Sequence, residues 1–188
     1  MLSAPIGTRI GICVRRDERP FEGFPGRRRG DTPRMPSYYR DPLAPTPNQP
    51  LLVGAAALIE RDGALLLDRR ADDGTWGLIA GALEPDESIS DAVRREVKEE
   101  TGLDTSSIEL FGVFSDPSRI VGYDDGNVYR VLSIVFRVGV VEGEPTRSEE
   151  SYELRFVRLD ELPQLNVTPA HRPIIERFLA RPHGVVVE

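Results

Sequence analysis

Five residues within one short stretch have the types and spacing to do chemistry: Glu87, Arg95, Glu96, Glu99 and Glu100. They lie in Gly81 to Leu103, GALEPDESISDAVRREVKEETGL, which holds seven acidic residues. Clustered carboxylates form either a solvated face or a seat for a hard cation, and the side of the element they occupy decides which. Ser88 sits where an N-cap belongs, and Asp91 is placed to reach back as in a capping box. Gly102 takes the left-handed position after the last turn. These signals predict a helix over about 89–101. At about 100° per residue, Ile89, Ala92, Val93 and Val97 form an apolar stripe. Glu96 and Glu100 fall in the middle of that stripe and Glu99 at its edge. A helix packed by this face turns carboxylates inward, where ionised groups are costly without a positive partner. Arg95 can pair with Glu99 at i, i+4, but one arginine cannot neutralise three glutamates. Mg²⁺ or Mn²⁺ with oxygen ligands can, which makes Glu96, Glu99 and Glu100 the metal candidates.

This stretch resembles the Nudix box, the signature of hydrolases acting on a nucleoside diphosphate linked to another moiety. The box pattern is met at Gly81, Glu87, Arg95, Glu96, Val97, Glu99, Glu100, Gly102 and Leu103, with every fixed position filled. One departure precedes it: Ile79-Ala80 stands where the family has Pro-Gly. The resemblance covers roughly Leu51 to Leu179. It implies a mixed α/β fold, an α/β/α sandwich with a mixed sheet and a loop–helix–loop catalytic motif. It also implies a metal-dependent pyrophosphohydrolase, with Glu96, Glu99 and Glu100 binding the metal, Glu87 supporting them, Arg95 orienting its neighbours and Gly81 letting the loop turn. The base that takes a proton from the attacking water is either Glu100 or a carboxylate outside the box, for which Glu149 and Glu150 are the candidates. An arginine near the end of the second strand often meets the substrate in this family, which points to Arg70 as a phosphate contact.

The substrate implied is ADP-ribose or another nucleotide sugar, with a nucleoside triphosphate as the alternative. The hydrophobic-arginine pattern of coenzyme A pyrophosphatases is absent upstream of the box. A non-catalytic nucleotide sensor is a further alternative, although such domains usually lose a box glutamate and this chain keeps all of them. Many relatives are homodimers, and no sequence feature decides the point here.

Composition fits this reading. At 188 residues, 39% apolar and 29% charged, the chain has enough for one globular domain with a full core. Its net charge of −7 argues against general nucleic-acid binding but not against an anionic nucleotide. Cys13 is the only cysteine, which excludes an internal disulfide and a cysteine zinc site. No apolar run is long enough for a membrane span, so a cytoplasmic protein is expected. Arginine almost replaces lysine, as in GC-rich bacterial genomes; Lys98 is the only lysine.

Residues 1–50 read as a Pro/Arg-rich arm, extended or disordered. They hold nine of the 16 prolines and a charge of +4, leaving −11 for the rest. Arg27-Arg28-Arg29 is an anion-binding candidate or a solvated run, and Met35 is an alternative start. The Nudix domain is expected over 51–182 and a tail over 183–188. Within the domain, Leu51 to Ile59 and Ala64 to Arg70 read as a hairpin around Arg61-Asp62-Gly63. Strands are expected at 108–114, 128–141 and 152–158, with a closing helix at 172–180. Trp76 reads as packing and His171 as a surface or capping residue. No nucleophile triad, P-loop or repeat is present.

Overall fold

The computed structural model describes residues 35–149 and 151–188. The Arg27–Arg29 run and Glu150 lie outside them. Eleven strands and two α-helices are present among the described residues. The central strand is β2, Leu52–Leu58. It pairs in parallel with the long β9, Val128–Val140, and antiparallel with β6, Ile79–Ala82. On its other edge β9 meets β8, Ile120–Gly122, and then β7, Thr105–Phe114. Two short outer strands complete this seven-stranded sheet. β1, Ser37–Tyr38, joins β8, and β11, Val186–Val187, runs parallel to β7.

A second sheet holds β3 (Glu60–Arg61), β4 (Ala64–Arg70), β5 (Trp76–Gly77) and β10 (Ser151–Arg158). The expected hairpin is therefore shorter than the sequence pattern suggests. Both edges of β2 are taken by β6 and β9, so β4 cannot pair with it. The hairpin partner of β4 is the two-residue β3, around a turn in which Asp62 and Gly63 both have positive φ.

Helix α1, Ile89–Thr101, packs Ala92, Val93 and Val97 against Ala55, Ala57 and Ile79 on one face of the large sheet. Helix α2, Arg172–Leu179, packs Ile174, Ile175 and Phe178 against Ala56, Val135, Phe111 and Phe114 on the other. Successive residues of β2 thus serve opposite cores, as strand alternation requires. The result is the helix–sheet–helix layering expected of the fold. β4 feeds both cores, with Leu66 on the α1 side and Leu65 and Leu67 on the α2 side. Trp76 is buried in the α2-side core, as its packing role requires. No helix among the described residues is long and apolar enough to cross a membrane.

Candidate functional site

Helix α1 has the predicted bounds because both ends are chemically fixed. Ser88 Oγ accepts the Asp91 N–H and donates to Asp91 Oδ2, so Asp91 answers the hydroxyl rather than the backbone of Ser88. Gly102, at φ 70°, donates its N–H to Lys98 O. The amphipathic register then places Glu96 inward, 9% exposed, with Glu100 half-buried and Glu99 exposed.

Arg95 lies at the centre of the carboxylates. Its Nε and Nη2 grip Glu87 at 3.1 and 2.8 Å. Its Nη1 meets Glu96 at 2.6 Å and Glu99 at 3.1 Å, and Nη2 also donates to Ala82 O. The bond to Glu87 foremost, with those to Glu96 and Glu99, raises the arginine's pKa above its ordinary value. The same bond, helped by the Glu84 N–H, lowers that of Glu87. Glu96 goes the other way. Burial raises its pKa, and the charges of Glu99 and Glu87 add to that, against the pull of Arg95.

Gly81 lies beneath Glu96. A Cβ at residue 81 would overlap the Glu96 carboxylate. The box glycine is thus required by close approach, not by positive φ. Among the described residues no three Asp, Glu, His or Cys side chains converge on one point, and the cation shared by Glu87, Glu96 and Glu99 is Arg95. The donor chemistry nevertheless fits a hard divalent cation. It is all carboxylate oxygen, on one side of one helix, above a glycine that leaves room for it.

Glu149 lies in an exposed loop moored to α1, since Thr146 N–H donates to Thr101 O, next to Glu100. Arg70 lines a cavity on the other side of β6, but its Nε and Nη2 bind Asp72 at 2.9 and 2.6 Å. The arginine expected to contact a substrate phosphate thus also holds an acid of its own chain.

The cavity, of about 170 Å³, continues the α2-side core toward the end of the sheet. Gly54, Ala80, Gly81, Val131, Ser133, Arg119 and His171 are among its walls. Gly81 belongs to both regions, with Glu96 over one face and the cavity on the other. His171 corrects the sequence expectation. It stands at the N-cap position of α2, but its side chain does not cap the helix; Nδ1 accepts the Leu78 N–H at 3.0 Å. Burial, then the nearby charges of Arg119 and Arg70, pushes its pKa down to about 3, so the ring is neutral. Arg119 was missed altogether. The only signal for it was an arginine entering a strand of apolar residues, Ile120 and Val121.

A family model for the NUDIX domain matches residues 50–178. An ADP-ribose pyrophosphatase of Methanocaldococcus jannaschii is 35% identical over 135 residues, spanning 70% of this chain and 75% of that protein. Nucleoside triphosphatase NudI of Escherichia fergusonii is 37% identical over 124 residues, spanning 61% of this chain and 87% of that one. The crystal structure of a MutT NUDIX hydrolase from Burkholderia pseudomallei is similar with a TM-score of 0.56 and 32% identity, over 69% of this chain and 98% of that one. The family match runs from just before β2 to the end of α2, with the complete box between them, and this chain belongs to the Nudix family.

Proposed function

We propose that this Nudix pyrophosphohydrolase is metal-dependent, cleaving a phosphoanhydride bond of a nucleotide with Glu96, Glu99 and Glu100 holding Mg²⁺ or Mn²⁺. The observation that carries the reading is the buried Glu96 carboxylate seated on Gly81, with Glu99 and Glu100 on the same side of α1. When bound, such an ion neutralises phosphate charge and lowers the pKa of attacking water. The chain does the rest. Arg95 fixes the rotamers of Glu87, Glu96 and Glu99 through bonds of 2.6–3.1 Å. Glu87, with its carboxylate on Arg95 and the Glu84 N–H, supports that arginine. The base for water is Glu100 or a carboxylate of the loop that carries Glu149 and Glu150. The packing of that loop on the end of α1 supports both choices.

Two substrate classes enter the test. ADP-ribose or another nucleotide sugar is the first reading, in line with the name of the archaeal relative. A nucleoside triphosphate is the second, in line with the name of the enterobacterial one. Release of phosphate-bearing products from a panel of both classes, with Mg²⁺ or Mn²⁺ and a Glu100→Gln control, separates them. Turnover that survives removal of divalent ions would sink the metal-dependent reading. Tight binding of one nucleotide with no turnover of any would favour a sensor.

A further inference from the structure

The cavity beside the acidic cluster has polar walls that cleavage of a phosphoanhydride does not explain. Arg119 stands behind them. It is 1% exposed, its Nη2 donates to Ser133 Oγ at 2.9 Å, and its guanidinium lies over the Phe114 ring. The polar groups that reach the space are others: Ser37, Arg70, Tyr123 and His171 are wall residues and are all half-buried. Arg70 holds Asp72 with Nε and Nη2, and its Nη1 makes no hydrogen bond among the described residues. The arginine's charge acts on the Tyr123 phenol, so the two are neighbours. His171 has a fixed tautomer. Nδ1 accepts the Leu78 N–H and faces Gly77 together with Cε1, so the ring proton is on Nε2. Ser37 Oγ accepts the Ala170 N–H and shares one hydrogen bond of 2.6 Å with Thr168 Oγ1, also in the wall. Whichever hydroxyl donates in that pair, the other O–H is left over.

These groups narrow the class of ligand. At about 170 Å³ the cavity is smaller than sites for a drug-sized molecule, roughly 300–1,000 Å³, so it takes one compact group. Leu52, Val121 and Val131 give it apolar sides and the Tyr123 ring an aromatic one. A phosphate would shed its water against those sides, and Arg70 is already neutralised by Asp72, whose side chain is 3% exposed. A planar base carries polar atoms only at its rim. The polar groups here come from β1, β4, the residue after β8 and the start of α2, and so surround the space. A sugar ring meets both kinds of wall. Its C–H faces pack on aliphatic and aromatic side chains. Each of its hydroxyls donates and accepts, as those of Ser37, Thr168 and Tyr123 do, and its oxygens accept from Arg70 Nη1 and His171 Nε2. Gly81 belongs to the same wall and has the Glu96 carboxylate against it, so a ring bound here lies beside the box glutamates.

We propose that this cavity binds a sugar ring of the substrate, with Tyr123, His171 and the Ser37–Thr168 pair as specificity-determining residues. The inference rests on the nucleotide reading above and names the part of the nucleotide that the cavity selects. The ring could be the sugar of the second moiety or the nucleoside's own ribose, and the test separates the two sources.

Calorimetry on the full chain with product-like ligands reads binding without turnover. Ribose 5-phosphate against inorganic phosphate reports on the second sugar, and AMP against 2′,3′-dideoxy-AMP on the nucleoside ribose. One of these two ratios should be at least about tenfold in the wild type, the scale of one to two hydrogen bonds. Tyr123→Phe and Thr168→Val should each lower that ratio about fivefold while leaving the affinity for inorganic phosphate unchanged. Tyr123→Phe keeps the ring and carries the comparison if the Thr168 variant does not fold. Both ratios within about twofold of one in the wild type would overturn the proposal. So would a ratio unchanged in both variants. A loss shared equally by inorganic phosphate would mean that these side chains act on phosphate or on the fold, and would overturn it too. A clear ratio without turnover of any nucleotide defeats the hydrolase reading and leaves this one standing. Turnover with neither ratio does the reverse.

Discussion

Two arginines on opposite sides of β6 face opposite situations. Arg95 is surrounded by three carboxylates, and bonds from Nε, Nη1 and Nη2 are all made within the fold. Arg119 has one hydroxyl for Nη2 and nothing for Nε or Nη1. The first arrangement is complete within the fold and suits the proposed role of Arg95 in holding the carboxylates in place. The second leaves two buried donors without a hydrogen-bond partner, and its guanidinium lies over the Phe114 ring. One guanidinium is satisfied by carboxylates, the other held by a hydroxyl and an aromatic ring.

The largest effect that tests this contrast is on the finished side. Glu96→Gln should cut kcat/KM about a thousandfold, the scale of losing a central electrostatic group. It should also abolish any rise in melting temperature that Mn²⁺ gives the wild type. Retention of both would remove Glu96 from the centre of the site. Next is Gly81→Ala, whose methyl group enters the space of the Glu96 carboxylate. Overpacking of this kind costs about 1–3 kcal/mol, and activity should fall with it, read by denaturant unfolding beside turnover.

The two arginines can then be compared directly. Arg95→Met leaves Glu96 buried without its cation and should destabilise by about 1–3 kcal/mol, discounted because the arginine is itself partly exposed. Arg119→Met removes a buried charge that lacks a counter-ion and should leave the melting temperature unchanged or higher. A similar loss in both variants would break the comparison.

At neutral pH the smallest effect concerns His171, whose contribution is lost only in acid. Its folded pKa, about 3, lies below the ordinary 6.5. The unfolded chain therefore takes up a proton below about pH 6.5 that the folded chain refuses. This contribution should leave stability intact above that pH and erode it as pH falls toward 3, by up to about 1.4 kcal/mol per unit. His171→Asn should flatten the slope relative to wild type in urea unfolding followed from pH 7 to 4. Parallel curves would mean that the ring titrates normally.

The finished side could be read in the sequence because it is local. Glu87, Arg95, Glu96, Glu99 and Glu100 lie on one helix and its entry loop, and helical spacing alone brings them together. The cap residues Ser88 and Gly102 set the helix bounds for the same reason. The cavity could not be read. Arg119, Ser133 and His171 come from a turn, a strand and a helix start, and only sheet order makes them neighbours. His171 looked like a capping residue from its place before Arg172-Pro173, and its bond to Leu78 spans 93 positions. Strand pairing failed locally too, since the 52–58 and 64–70 segments are adjacent in the chain yet lie in different sheets.

The last strand has a consequence for how copies of this protein meet. β11 lies along β7, where Gly112 leaves no side chain in the way of Val186. Glu188 continues the ladder by donating to Val113 O and accepting from Ser115 N–H. Those few residues occupy the backbone edge that β7 would otherwise present. Removing residues 186–188, or fusing a bulky tag directly after Val185, would bare an edge able to recruit the same strand of a neighbour. Colloidal behaviour at high concentration would then depend on a segment far from α1 in the chain.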